Sequence, residues 1–173
     1  VTSNSITIWN TAPDLQATDL APVTSYESST LTCTPRVGTY SDDDGDTITF
    51  SYNWLINSSP IGVNSNTISG SNFDKDNTVA CVATPNDGFV DGPSITSNEI
   101  IINNTPPTIS GATLSSPTND VTDNLTCSAG ITNDIDPSDI VSISYSWTIN
   151  GSTVQGESTN TLLGSVVERG DVV

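Results

Sequence analysis

Histidine and methionine are missing altogether from this 173-residue chain, and lysine and arginine together number 3 against 20 aspartates and glutamates. Each shortage excludes something. Without histidine the chain lacks the commonest general base and metal-ligating nitrogen, which argues against hydrolytic chemistry. Its cations, Arg36, Lys75 and Arg169, are scattered, so they make no patch that displaces counterions from a nucleic acid. No apolar run reaches the ~20 residues of a membrane-spanning helix, and no secretory leader is recognisable. Methionine is absent, and alanine, leucine, glutamate and lysine are too sparse to sustain a helical period. What remains is Ser, Thr and Asn, at 25, 26 and 17 residues.

A formal charge of −17 is compatible with disorder, yet 34% of the residues are hydrophobic. They sit in short alternating runs of Thr, Val, Ile and aromatics bounded by turn residues, which is the pattern of half-buried strands. The expected fold class is therefore all-β.

Self-similarity organises the chain. Val1–Ile8 (VTSNSITI) recurs as Ile95–Ile102 (ITSNEIII), Asn10-Thr-Ala-Pro13 as Asn104-Thr-Pro-Pro107, and Leu31-Thr-Cys33 as Leu125-Thr-Cys127, each offset by 94 positions. Tyr52-Asn-Trp54 recurs as Tyr145-Ser-Trp147, offset by 93. The expected organisation is a last strand of a preceding repeat at 1–9, a first complete repeat at 10–103, and a second at 104–173 that stops before its last two strands. Two arrangements stay open: a window on a longer tandem array, which is favoured, and a subunit that exchanges strands with its neighbours.

The longest strand is predicted over Thr47–Ile56, with Ile48, Phe50, Tyr52, Trp54 and Ile56 on one face. Its counterpart places Val141, Ile143, Tyr145, Trp147 and Ile149 together. Further strands are expected at Thr30–Pro35, Thr78–Thr84 and Ile95–Ile102, with turns at Asn86-Asp-Gly88 and Asn150-Gly151.

The order Cys33, Trp54, Cys81 resembles the Cys…Trp…Cys pattern of immunoglobulin sandwiches. The phrases Leu31-Thr-Cys-Thr-Pro35, Asp42-Asp-Asp-Gly-Asp46, Tyr52-Asn-Trp54 and Thr84-Pro-Asn-Asp-Gly88 are similar to the immunoglobulin-like, PKD-like repeats of large bacterial and archaeal surface proteins. The spacing of 21 residues from Cys33 to Trp54 is longer than in antibody domains. The resemblance implies tandem antiparallel Greek-key sandwiches, an extracellular or cell-surface location, and further copies of the repeat as partners, in one chain or in a fibre. Cys33 and Cys81 then form either an inter-sheet disulfide or a pair of buried thiols. Facing strands and a His-free, Ser/Thr-rich composition favour the bridge. Cys127 would pair with a cysteine beyond the chain end.

Asp42, Asp44 and Asp46 alternate around Gly45, and Asp134, Asp136 and Asp139 stand at the corresponding place of the second repeat. Calcium takes six to eight oxygen ligands, and such loops supply carboxylates for it. A solvated acidic turn reads the same way in one copy; recurrence at both sites favours calcium. Crowded loop carboxylates without a dry neighbour do not make a glycosidase pair, so no catalytic residue and no enzyme activity is expected. Asn57, Asn103, Asn124 and Asn150 head formal N-glycosylation sequons. Trp9, beside the Asn10–Pro13 linker, is expected to seal a domain junction rather than stack on a sugar.

The expected function is structural: a repeat of an extracellular stalk, adhesin or filament, rigidified by disulfides and calcium. The alternatives are a filament subunit joined by strand exchange and an accessory module, carbohydrate-binding or spacer, of a secreted enzyme.

Overall fold

Short runs of β-branched and aromatic residues between Gly, Asn and Pro turns build a structure with no α-helix among the described residues. The computed structural model describes residues 3–173, and these divide between Thr105 and Pro106 into two units.

The first unit contains β1 (Asp14–Leu15), β2 (Thr18–Ala21), β3 (Ser25–Tyr26), β4 (Thr30–Pro35), β5 (Tyr40–Ser41), β6 (Thr49–Ile56), β7 (Ser59–Pro60), β8 (Thr67–Ser69), β9 (Thr78–Asn86), β10 (Ile95–Thr96) and β11 (Ile100–Asn103). One sheet runs β2-β4-β8. A second runs β3-β11-β9-β6-β7, with β10 also on β9, and β1 pairs separately with β5. Pairing is antiparallel except where β11 meets β3. Two sheets of this kind, joined through a common core, are consistent with a β-sandwich.

Alternation decides what lies in that core. Leu31, Cys33 and Pro35 of β4 point inward while Thr30 and Thr34 face water, and Leu20 on β2 does the same. Trp54 of β6 is fully buried opposite Cys81 of β9, and its indole N–H donates to the Ser65 carbonyl at 2.8 Å. Cys33 and Cys81 form a disulfide with their Cα atoms 6.1 Å apart, linking the two sheets. Ile48, Phe50, Tyr52 and Ile56 are half-buried on the same face, as the alternation requires.

The strand expected over Ile95–Ile102 is interrupted. Ser97 Oγ accepts the Cys81 amide, and Asn98 spans to the opposite sheet, accepting from the Leu20 amide at 2.9 Å and donating to its carbonyl at 3.2 Å. These short polar side chains compete with the ladder for backbone groups and split the strand into β10 and β11.

The second unit contains β12 (Thr108–Ile109), β13 (Ala112–Ser115), β14 (Leu125–Ala129), β15 (Thr132–Asn133), β16 (Thr148–Ile149), β17 (Ser152–Thr153) and β18 (Thr161–Leu162), followed by a 3₁₀ turn at Gly164–Val166. Its sheet β13-β14-β18 repeats the pairings of β2-β4-β8. Trp147 is buried and its indole donates to the Thr159 carbonyl at 2.9 Å. Cys127 N bonds the Asn160 carbonyl at 2.8 Å, as Cys33 N bonds that of Asn66.

The strand predicted over Val141–Ile149 forms only at β16. Residues 141–147 carry the same alternation as β6, yet no described strand pairs with them, whereas β6 is laddered to β9 over eight residues. A strand without a neighbour has no partner for its backbone groups, so pattern alone does not produce one. Ile143 is exposed and Cys127 is an unbonded, half-buried thiol.

Two expectations follow. A loop of 48 residues closed by Cys33–Cys81 contributes about 4 kcal/mol on the chain-entropy account. Intact mass after alkylation in denaturant should show one modified thiol before reduction and three after it, with Cys81→Ser lowering stability by about 2–5 kcal/mol. Three thiols alkylated without reductant would contradict the bridge. In the second unit the Asp123 carboxylate accepts the Thr118 amide and hydroxyl, the Asp120 amide and the Ser116 hydroxyl, which hold its pKa down to about 2. A depressed carboxyl pKa contributes stability above the unfolded value of ~3.9, and that contribution is lost as pH falls toward the folded value. The Thr118 amide resonance should therefore titrate near pH 2; a midpoint near pH 4 would show that the loop does not grip Asp123.

Candidate metal centre

The loop between β5 and β6 turns at Gly45, where φ is +79°, a conformation that side chains other than Gly rarely adopt. That turn folds Asp42, Asp44 and Asp46 onto one side. Asp42 Oδ1 accepts the amides of Asp44 at 2.9 Å and Asp46 at 3.2 Å. One oxygen from each of the three carboxylates lies within 4.8 Å of the others. Two oxygens bound to one calcium at ~2.4 Å can be no further apart than about 4.8 Å, so the spacing fits a shared cation.

Asp42 Oδ2 is the atom that asks for one. It is buried and accepts no hydrogen bond. A charged oxygen withdrawn from water without a partner is costly, and three carboxylates converging on it form a group that could hold a divalent cation.

The second cluster has the same construction. Asp134, Asp136 and Asp139 bring carboxylate oxygens within 4.8 Å of one another. Asp134 Oδ1 accepts the Asp136 amide at 3.1 Å, the counterpart of the Asp42–Asp44 bond, and Asp136 is 1% exposed. Both trios thus come together as the sequence places them.

The first cluster also holds a segment that sequence reasoning did not connect with it. The Thr11 amide donates to Asp44 Oδ2 at 2.6 Å, and the Asn10 side chain donates to Asp87 Oδ2 at 2.8 Å. Asp87 is nearly buried; the Asn10 amide, then the Val90 and Phe89 amides, hold its carboxyl below the ordinary range. Asp44 and Asp87 therefore tie the Asn10–Pro13 linker to the end of the sandwich. Residues separated by 77 positions carry that contact, and the only signal for it was the Asn-Asp-Gly turn read as a hairpin.

The four sequon asparagines are exposed but engaged. Asn57 Oδ1 accepts the Thr78 amide, Asn103 Nδ2 donates to the Ser25 carbonyl, Asn124 Oδ1 accepts the Gly164 amide, and Asn150 bonds both Val172 and Asp171. Trp9 is 81% exposed and seals nothing among the described residues.

No family model, no curated protein and no solved structure matches the chain. Among the described residues no helix is long and apolar enough to cross a membrane.

Proposed function

We propose that the chain is a structural module of an extracellular stalk, adhesin or filament. In this reading it consists of tandem immunoglobulin-like sandwiches in Greek-key order, stapled by a disulfide and stiffened by calcium. The repeat boundaries are 10–103 and 104–173, with residues 1–9 as the last strand of a preceding copy; Val1 and Thr2 lie outside the described residues. The recurrence of one hydrogen-bond set in both units carries the reading. The Trp54 and Trp147 indoles, the Cys33 and Cys127 amides, and the Asp42 and Asp134 carboxylates each make the same bond at nearly the same length. Sheet order in the first unit, a Trp beside an inter-sheet disulfide, and the surface-repeat phrases in the sequence add to it.

The physical logic is mechanical. Carboxylates at the end of each sandwich repel one another until a cation joins them, and the first cluster grips the linker through Thr11. A bound calcium would fix loop and linker together and so limit the angles available between consecutive modules. The disulfide is compatible with an oxidising compartment, which in this reading is extracellular. A charge of −17 keeps neighbouring rods soluble and apart. The partners in this reading are further copies of the repeat, with no role for nucleic acid or membrane insertion. No residue is assigned to catalysis.

Melting in chelator against millimolar calcium tests the reading. Binding at a hundredfold excess over Kd stabilises by ~2.7 kcal/mol, which for a unit of this size raises Tm by about 10 °C. Asp44→Ala should abolish the part of that rise that belongs to the first unit. Identical melting with and without calcium would overturn the metal assignment.

A further inference from the structure

We propose that Asn150 is a site of self-modification. Its side-chain amide is lost to the backbone nitrogen of Gly151, and the carboxylate left behind loosens the contact between the β16–β17 turn and residues 171–172. The inference goes beyond the structural and metal readings and depends on neither.

The chemistry comes from a single step of the sequence. Of the 17 asparagines, Asn150 alone is followed by glycine. A glycine has no Cβ to shield its nitrogen or to restrict the rotation that brings that nitrogen onto the preceding side chain. Asn150 and Gly151 are both exposed, and a Cβ placed on Gly151 would meet nothing within 4 Å, so the surroundings are open to water.

Water is the only co-reactant needed. The Gly151 nitrogen bonds to Asn150 Cγ as the Cγ–Nδ2 bond breaks, and ammonia leaves with the proton that the Gly151 amide gives up. The product is a cyclic succinimide. Water then opens the ring at one carbonyl to give aspartate, or at the other to give isoaspartate. Either product adds one carboxylate and takes the formal charge from −17 to −18.

The chain carries its own comparison 93 positions earlier, where Asn57-Ser58 follows β6 as Asn150-Gly151 follows β16. The backbones share one left-handed form, with φ of +49° and +65° at Asn57 and Ser58 against +50° and +80° at Asn150 and Gly151. The asparagines also make the same bonds. Asn57 N donates to the Thr78 carbonyl at 2.8 Å, and Thr78 N donates to Asn57 Oδ1 at 2.9 Å. Asn150 N donates to the Val172 carbonyl at 2.8 Å, and Val172 N donates to Asn150 Oδ1 at 3.0 Å. What differs is the residue that supplies the attacking nitrogen. Ser58 shields it with a side chain and Gly151 does not, so Asn57 should last while Asn150 converts.

Conversion acts on the structure through Asp171. Asn150 Nδ2 donates to Asp171 Oδ1 at 2.7 Å. Losing the amide puts an anionic oxygen where that donor stood, so a hydrogen bond becomes a repulsion between two carboxylates. Isoaspartate also lengthens the main chain between Ile149 and Ser152, which stand opposite each other across the turn. The second unit is loosened with time and the first is spared.

Incubating the full chain in mildly alkaline buffer, followed by ion exchange and peptide mapping, tests this. A more acidic species should accumulate, its added charge mapping to Asn150, while Asn57 keeps its amide. Hydroxylamine, which cleaves succinimides, should cut partly converted chain after residue 150. Gly151→Ser should slow Asn150 to the rate of Asn57; Ser58 shows that the turn admits serine there. Ser58→Gly should make Asn57 convert as well. In converted material the Val172 amide should exchange with solvent faster, with Thr78 unchanged. An Asn150 that keeps its amide as long as Asn57 does would overturn the proposal, as would a Gly151→Ser variant that converts as fast as the parent. Conversion that leaves Val172 exchange unaltered would overturn the loosening. A glycan on Asn150 in protein from its native source would overturn the site itself, since the amide would be blocked.

Discussion

Burying a tryptophan without wasting its indole N–H is the constraint from which the first unit is built. Trp54 is fully enclosed only because the Ser65 carbonyl lies where its N–H can reach, and because Cys81, a small neighbour on β9, stands opposite it in the ladder. The same neighbour bonds to Cys33, so the residue that makes room for the ring also ties the sheets together. Replacing such a ring with Ala typically costs 3–5 kcal/mol, a large share of the 5–15 kcal/mol by which domains are stable. In a chain so rich in Ser, Thr and Asn, few other side chains carry comparable apolar area. The second unit keeps the Trp147 indole bond, and Trp147 and Leu162 are its buried hydrophobic residues among those described.

That contrast ties core to function. Where the ladder is complete, the end of the sandwich becomes a firm platform on which Asp42, Asp44 and Asp46 converge and to which Thr11 is tied. In the second unit residues 141–147 carry the alternation of β6 without a described strand beside them.

Much of this was legible in the residues. The order Cys33, Trp54, Cys81 anticipated which strands face one another, and the spacing of two between Asp42, Asp44 and Asp46 anticipated a converging turn. Alternation identified the inward face of β6. What escaped was whatever depends on a partner distant in the chain. Val141–Tyr145 carries the alternation of β6, but a strand exists only when another lies beside it. The split between β10 and β11 depends on Asn98 finding Leu20 across the core, and the pinning of the linker on Asn10 finding Asp87. Such contacts are set by tertiary placement, and local pattern is silent on them. Asn57 and Asn150 read as glycosylation sequons, while in the structure Asn57 brackets the backbone of Thr78, which opens β9, and Asn150 brackets that of Val172.

The central claim is that the two units are one module carrying one kind of cation site. Calorimetric titration of the full chain with calcium tests it most directly. The account predicts saturable binding at two sites per chain, one at each aspartate cluster, with Asp44→Ala removing one and Asp136→Ala the other. No saturable heat, or binding that neither substitution alters, would contradict it.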